Sequence, residues 1–137
     1  MENPTKSNVE RLVSFFEKGK RVAVITGAGV STESGIPDYR GEKGSYKHGH
    51  KPMMHNEFVY NDHLRKRYWA RSLVGWRHFS RARPNAGHYA LSKLQEMNHI
   101  HGLVTQNVDR LHHFAGSTNI TELHGGNNLV ECLNCKS

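Results

Sequence analysis

Four polar clusters in this chain carry side chains that could do chemistry. The first is Gly27-Ala28-Gly29-Val30-Ser31-Thr32-Glu33-Ser34-Gly35-Ile36-Pro37-Asp38-Tyr39-Arg40. Gly27 and Gly29 let the main chain approach a ligand closely, and a helix expected to start near Val30 would aim its free N–H groups and dipole at an anion, most naturally a phosphate. The dinucleotide fingerprint asks for a third glycine where Thr32 stands, and no acidic residue follows at the ribose-binding distance, so an ordinary dehydrogenase is a poor match. Pro37 is expected to stop the helix. The same stretch also reads as a plain polar loop after a strand. The second cluster, Gln106, Asn107 and Asp109, offers amide and carboxylate hydrogen-bonding groups. The third is His124, an imidazole able to move a proton or, alternatively, a structural histidine bonding its own loop. The fourth is Cys132 and Cys135, the only two cysteines, whose close spacing favours a metal site or redox pair over a structural disulfide.

These clusters need elements to position them. Val22, Val24 and Ile25 form a β-branched run expected to be a buried strand that ends in the glycine turn. Ile100–Thr105 is a second expected strand, ending in Gln106–Asp109, and Ile120–Leu123 a third, ending in His124. Between them the spacing predicts helices. Ser7 to Glu10 reads as a capping box ahead of Val9, Leu12, Val13 and Phe16, with Gly19 as the stop. A second helix runs from about Asn61 to Phe79, with Leu64, Tyr68, Trp69, Leu73, Trp76 and Phe79 on one apolar arc and Lys66, Arg67 and Arg77 opposite. Pro84 closes that region, and Asn85 caps a helix carrying Ala90, Leu91, Leu94 and Met97. A short helix through Leu111 and Phe114 reaches Gly116. Gly41 to His55 reads as a loop, with His48, His50 and His55 as surface residues. Helices alternating with strands predict an α/β fold with a parallel sheet, which brings the three strand ends to one crevice. That convergence favours His124 as a catalytic rather than a structural residue.

A chain of 137 residues allows one small domain, and 36% hydrophobic content is low for a well-filled core. No apolar run reaches membrane-spanning length, so no membrane is expected and the chain reads as soluble. The stretch Met1 to Ser7 lacks a signal-peptide core, and Glu2, Glu10 and Glu17 speak against an organelle transit peptide. The formal net charge of +7 raises nucleic acid as a partner. The excess is local, however: Arg65, Lys66, Arg67, Arg71, Arg77, Arg81 and Arg83 face the single acid Asp62 between Asn61 and Arg83. A basic helix face without a nucleic-acid motif reads more readily as solvated surface.

Taken together and in order, Gly27 to Arg40, Thr105-Gln106-Asn107-Val108-Asp109-Arg110-Leu111-His112, Glu122-Leu123-His124-Gly125 and Cys132-Leu133-Asn134-Cys135 resemble the sirtuins, NAD-dependent protein lysine deacylases. The segment Arg67-Tyr68-Trp69-Ala70-Arg71 looks most like the mitochondrial class II branch. The resemblance implies a partial Rossmann-like sheet (1–40 and 85–125), a helical insert (41–84) and the start of a zinc-binding module (126–137). It implies NAD held by Gly27, Ala28, Gly29, Thr32, Asp38, Tyr39 and Arg40, and a nicotinamide pocket lined by Gln106, Asn107 and Asp109. His124 would be the general base, with Asn107 beside it in catalysis. In the family's chemistry the acyl-lysine carbonyl oxygen attacks C1′ of the ribose as nicotinamide leaves. The histidine then takes a ribose hydroxyl proton, so no protein nucleophile is needed.

The resemblance also implies zinc at Cys132 and Cys135, which supply two of four thiolates. Acylated-lysine proteins would be the substrates and the mitochondrion the location. Tyr68 and Arg71, three apart on the expected helix, look like a pair that recognises acidic acyl chains; equally, Tyr68 is core and Arg71 pairs with an acid. The family's second cysteine pair and later strands are absent, which reads as the N-terminal half of such an enzyme from a truncated transcript, gene model or splice form. An unfinished sheet would leave an exposed edge and uncovered apolar faces, open to self-association. The alternatives are an inactive NAD-binding or partner-binding fragment and, ranked last, a nucleic-acid-binding module.

Overall fold

A computed structural model describes residues 4–19, 21–42, 44, 46, 47, 49 and 51–137. His48 and His50, expected on the loop surface, and the first three residues lie outside the described residues. Three short strands, β1 (Ala23–Thr26), β2 (Gly102–Thr105) and β3 (Ile120–Glu122), form one parallel sheet in the order β1-β2-β3. The fold is therefore the α/β parallel architecture expected. Thr26 pairs with Thr105 and Thr105 with Glu122, so the three carboxyl ends stand level. The ladder continues one step beyond them, with Gln106 N donating to Thr26 O at 3.1 Å and Leu123 N to Thr105 O at 2.9 Å.

Central β2 is well covered, and Leu103 is 1% exposed. The expectation of a buried β1 needs correction. β1 is an edge strand with Ile25 72% exposed, because among the described residues no further strand or helix covers that side. The β-branched run marks strand propensity, which an edge and a centre share.

Helix α1 (Pro4–Lys18) starts before the anticipated capping box, so Ser7 and Glu10 lie inside it. Proline suits a first helical turn, where its missing N–H costs nothing. After β1 the chain forms a 3-10 helix over Ala28–Ser34 instead of an α-helix from Val30. Its stop is Gly35, in the left-handed conformation (φ 82°, ψ 7°), two residues before Pro37. A short α2 (His55–Tyr60) begins at His55, where the loop was expected to end, and α3 spans Asp62–Phe79 with the Asn61 side chain accepting Leu64 N at 3.1 Å. Arg65 joins the two helices, donating to the carbonyls of Phe58 at 3.0 Å and Val59 at 2.9 Å. Phe58 meets Tyr68 and Trp69 edge-on, at 5.1 and 6.0 Å between ring centroids.

No residue of α3 is buried, and Leu73 and Val74 are 72% and 78% exposed. Its apolar arc is covered only in part, Tyr68 and Trp69 meeting Phe58 of α2 while Leu73 stays in solvent. Helix α4 (Ala86–Glu96) is capped by Asn85 as expected, its Oδ1 accepting Gly87 N at 2.9 Å and His88 N at 3.4 Å. Helix α5 (Leu111–Phe114) packs against α4.

The interior is unusual in composition. Val22, Ile36, Ile100, Leu103 and Leu111 are its buried apolar residues, beside buried Thr26, Ser31, His88, Thr105, His112 and Ser117. Buried polar groups cost free energy unless they are hydrogen-bonded, so this core must be wired as well as packed.

Candidate functional site

The wiring starts where the strands end. Thr26, the last residue of β1, donates from Oγ1 to Oγ1 of Thr105, its neighbour across the ladder, at 2.9 Å. The Thr105 hydroxyl also accepts the backbone N–H of Asn107 at 3.1 Å, which turns the chain sharply after β2. That turn points Asn107 at the glycine loop. Its Nδ2 donates to Gly27 O and to Ser31 Oγ, both at 3.1 Å. Ser31, fully buried, donates in turn to Asp109 Oδ2 at 2.7 Å. The other oxygen of Asp109 accepts Leu111 N at 2.9 Å and so begins α5. Between them Arg110 is left-handed (φ 64°, ψ 12°), a conformation costing a non-glycine residue about 1 kcal/mol, and its guanidinium pairs with Glu122 at 3.2 Å.

Beneath this cluster lie two buried imidazoles. His112 Nε2 stands 2.9 Å from Thr26 Oγ1, and its ring centroid is 4.8 Å from that of His88. Burial pushes His112 down to about 4, with the neighbouring His88 adding to the effect and Asp109 opposing it. Burial likewise lowers His88. Both rings are neutral at pH 7. His88 Nδ1 accepts Asn85 N at 3.3 Å, while the Asn85 amide donates to Val30 O at 2.7 Å and Ser34 Oγ at 3.0 Å.

The anticipated residues divide into two groups. Gly27, Asn107 and Asp109 converge on the buried cluster. His124 stands at the end of β3, exposed, with Nδ1 donating to Gln106 O at 3.0 Å. The Gln106 side chain is exposed. Ala28 and Gly29 open the 3-10 turn, and a Cβ built on Gly27 or Gly29 would meet nothing within 4 Å. Thr32 turns its hydroxyl back to Gly29 O at 2.9 Å.

Among the described residues the second group shares no hydrogen bond with the cluster. Asp38 accepts Gly41 N at 2.7 Å, Tyr39 packs on Tyr46 at 5.3 Å, and Arg40 is exposed. Tyr68 meets Phe58 and Trp69, and Arg71 is exposed with no partner among the described residues. Helix α3 reaches the site only at its far end, where Trp76 and Phe79 face Val108, Asp109 and Phe114 across a cleft of about 170 Å³. Cys132 and Cys135 are exposed, and among the described residues no group of three His, Cys, Asp or Glu is placed to hold a metal. Hydrogen bonds from the Ser137 side chain and backbone, and then from Cys132, bring the Cys135 thiol down to about 7. A larger cleft of about 330 Å³, between Phe58, Val59, Arg65 and Cys132–Asn134, lies away from the polar cluster.

Sequence reasoning assigned no role to Ser31, Thr26, Thr105, His88 or His112. Ser31 was visible as a small polar residue inside the glycine loop. The pairing of the two histidines has no local signal and arises from the packing of α4 on α5.

A parallel α/β sheet entered through a glycine-rich turn, with polar clusters at three level strand ends, is a Rossmann-like arrangement. The chain belongs to the Sir2 family, whose model matches residues 27–137. It is 50% identical over 133 residues to the NAD-dependent protein deacylase Sirt4 of Drosophila melanogaster, covering 96% of this chain and 43% of that protein. It is 51% identical over 129 residues to the mitochondrial NAD-dependent protein lipoamidase sirtuin-4 of Homo sapiens, covering 93% and 41%. Among solved structures it resembles an ADP-ribose complex of a Sir2 homologue mutant (TM-score 0.81, 35% identity, 93% of this chain and 51% of that one). A Sir2 complex with p53 peptide and NAD+ gives a TM-score of 0.77 at 32% identity, over 94% and 50%. The chain thus spans about half the length, or less, of the proteins it matches.

Proposed function

We propose that the chain is the NAD-binding part of a protein lysine deacylase, with residues 1–40 and 85–125 as the nucleotide-binding portion. Residues 41–84 are the helical insert and 126–137 the start of a zinc module. The observation that carries this reading is the hydrogen-bonded cluster of buried Ser31 with half-buried Asn107 and Asp109 beside the glycine turn. A hydrogen-bonded polar set at the carboxyl ends of parallel strands suits a ligand site. The residues fit NAD. A Cβ on Gly27 or Gly29 would meet no protein atom within 4 Å, which leaves room for a ligand to approach the main chain there. Ala28, Thr32, Asp38, Tyr39 and Arg40 line the loop that would hold the dinucleotide, and Gln106, Asn107 and Asp109 the nicotinamide side.

NAD, when bound, supplies an ADP-ribose acceptor whose nicotinamide departs as the acyl oxygen bonds to the ribose. The chain's own contribution is orientation and one proton transfer. With Nδ1 donating to Gln106 O, the other nitrogen of His124, Nε2, is free to accept a proton as general base. Acylated-lysine proteins are the proposed substrates, and the mitochondrion the proposed compartment by likeness to the Bos taurus and Homo sapiens relatives named mitochondrial. Cys132 and Cys135 would give a structural zinc two of its four thiolates, and no catalytic step depends on them. We further propose Tyr68 and Arg71 as readers of a carboxylated acyl chain, supported by the exposed guanidinium on α3. Tyr68 also packs on Phe58, which would hold its ring in place.

Calorimetric titration with ADP-ribose tests the binding half of this proposal. Saturable one-to-one binding, weakened at least tenfold by Asn107→Ala, is expected; no binding by the folded chain overturns it. A second reading, a binding fragment without turnover, is favoured by the uncovered faces of α1 and α3 and by the open β1 edge, where a partner or a second copy could pair. ADP-ribose binding without nicotinamide release from NAD and an acylated peptide selects it.

A further inference from the structure

Traced atom by atom, the polar cluster closes on itself. His112 bonds Thr26, Thr26 bonds Thr105, Thr105 bonds Asn107, Asn107 bonds Ser31, Ser31 bonds Asp109, and Asp109 bonds the N–H of Leu111, the residue before His112. Within it, the direction of the Thr26 bond bears on the proton of His112. Thr26 Oγ1 gives its single hydroxyl proton to Thr105 Oγ1, which also accepts Asn107 N. Thr26 therefore offers His112 only a lone pair. His112 must be the donor, with its proton on Nε2 and a bare Nδ1.

The second imidazole is determined in the same way. His88 Nδ1 accepts the Asn85 N–H, so its proton sits on Nε2. His88 Nε2 and His112 Nδ1 are the two ring atoms left buried without a partner. One is a donor and the other an acceptor, on rings with centroids 4.8 Å apart. Both rings hold these proton positions only while they are neutral. Asn85 also grips the 3-10 helix at Val30 and Ser34, while the circuit grips it at Ser31. The same helix is held from two sides, and both holds lead back to this pair of imidazoles.

We propose that His88 and His112 are a positioning pair for the candidate site, setting the placement of Ser31 and Asn107 through Thr26 and Thr105 on one side and Asn85 on the other. The link to nucleotide binding rests on the proposed function above, but the positioning itself does not. Neither histidine touches the ligand space directly, and each acts through the residues it holds.

The test uses the full chain, with His112→Gln, which keeps a donor near the Nε2 position, and His112→Leu, which removes the donor but fills an apolar site. A merely structural role makes Leu at least as good as Gln, since the position is buried. Positioning predicts the reverse. In the wild type, 15N-resolved imidazole spectra should show both histidines protonated on Nε2 alone at pH 7. The Asn107 backbone amide should exchange slowly in wild type and in His112→Gln, and at least tenfold faster in His112→Leu. ADP-ribose affinity should fall at least tenfold in His112→Leu and stay within threefold in His112→Gln. Should the leucine variant not fold, Thr26→Val cuts the same circuit from the other end and should give the same Asn107 result. An Nδ1 proton on His112, or Asn107 protection unchanged in both His112→Leu and Thr26→Val, overturns the inference. If wild type binds no ADP-ribose while the tautomers and the exchange pattern hold, the functional reading fails and the positioning pair stands.

Discussion

His124 and Gln106 are joined by a hydrogen bond of 3.0 Å from the imidazole Nδ1 to the backbone carbonyl, which ties the end of β3 to the end of β2. A carbonyl can only accept, so the proton sits on Nδ1 and the lone pair on Nε2. A bond of this kind fixes the tautomer and the orientation of the imidazole.

Replacement by alanine should therefore affect chemistry more than binding. With this chain extended by the matching remainder of its Drosophila relative, His124→Ala should lower deacylation by about 10²-fold to 10⁴-fold while ADP-ribose affinity changes little. Steady-state rates alongside calorimetry check it; near-normal turnover would remove His124 from the mechanism.

Two glycines of the first loop should respond in opposite ways. Gly35→Ala places a side chain at φ 82° and should cost about 1 kcal/mol of stability. Gly29→Ala meets no protein atom within 4 Å, so stability should hold within about 0.5 kcal/mol while ADP-ribose affinity drops at least tenfold. Urea denaturation and calorimetry on both variants separate the effects, and a Gly29→Ala variant that binds normally would mean the space above the turn is not the ligand's.

Acid should unfold the chain through its buried imidazoles. His112 is held down to about 4 by burial, then by His88 and His113, with Asp109 opposing, whereas the unfolded imidazole titrates near its ordinary value of 6.5. Between those values the unfolded state binds more protons, so stability is complete above about pH 6.5 and is lost as pH falls towards 4, by up to about 3 kcal/mol from this group. His88, lowered by burial, acts in the same direction. Denaturant midpoints from pH 7.5 to 4 should fall less steeply in His112→Gln; parallel curves would assign the acid sensitivity to other groups.

Arg71 should matter to acyl choice if the insert reads the substrate. In the extended chain, kcat/KM for a carboxylated acyl-lysine such as glutaryl should exceed that for acetyl, and Arg71→Met should lower the ratio at least tenfold, because a site built for a charged hydrogen bond rejects groups that leave it unpaired. An unchanged ratio returns Arg71 to the surface.

Much of the architecture was legible because its signals are local. A β-branched run followed by glycine marks a strand and its turn wherever it lies, and Asn85 caps α4 through atoms two and three residues away. Helix and strand alternation implied the parallel sheet, and level strand ends follow from it. The 3-10 geometry of Ala28–Ser34 was not legible. Its turn is set by Asn107, Asp109 and Asn85 gripping it from other elements, where local propensity alone suggested an α-helix.

By itself the sequence determined the order of the strands and of the helices other than α2, the parallel α/β class and the clusters at the strand ends, through patterns legible along the chain. Only the tertiary structure decided that Ser31 bonds Asp109 across 78 residues, that His112 reaches Thr26 across 86, and that β1 lies at an edge with Ile25 in solvent. The reason is physical. A hydroxyl or an imidazole carries no periodic signature of its partner, and its partner is set by which buried polar groups meet when the helices close on the sheet.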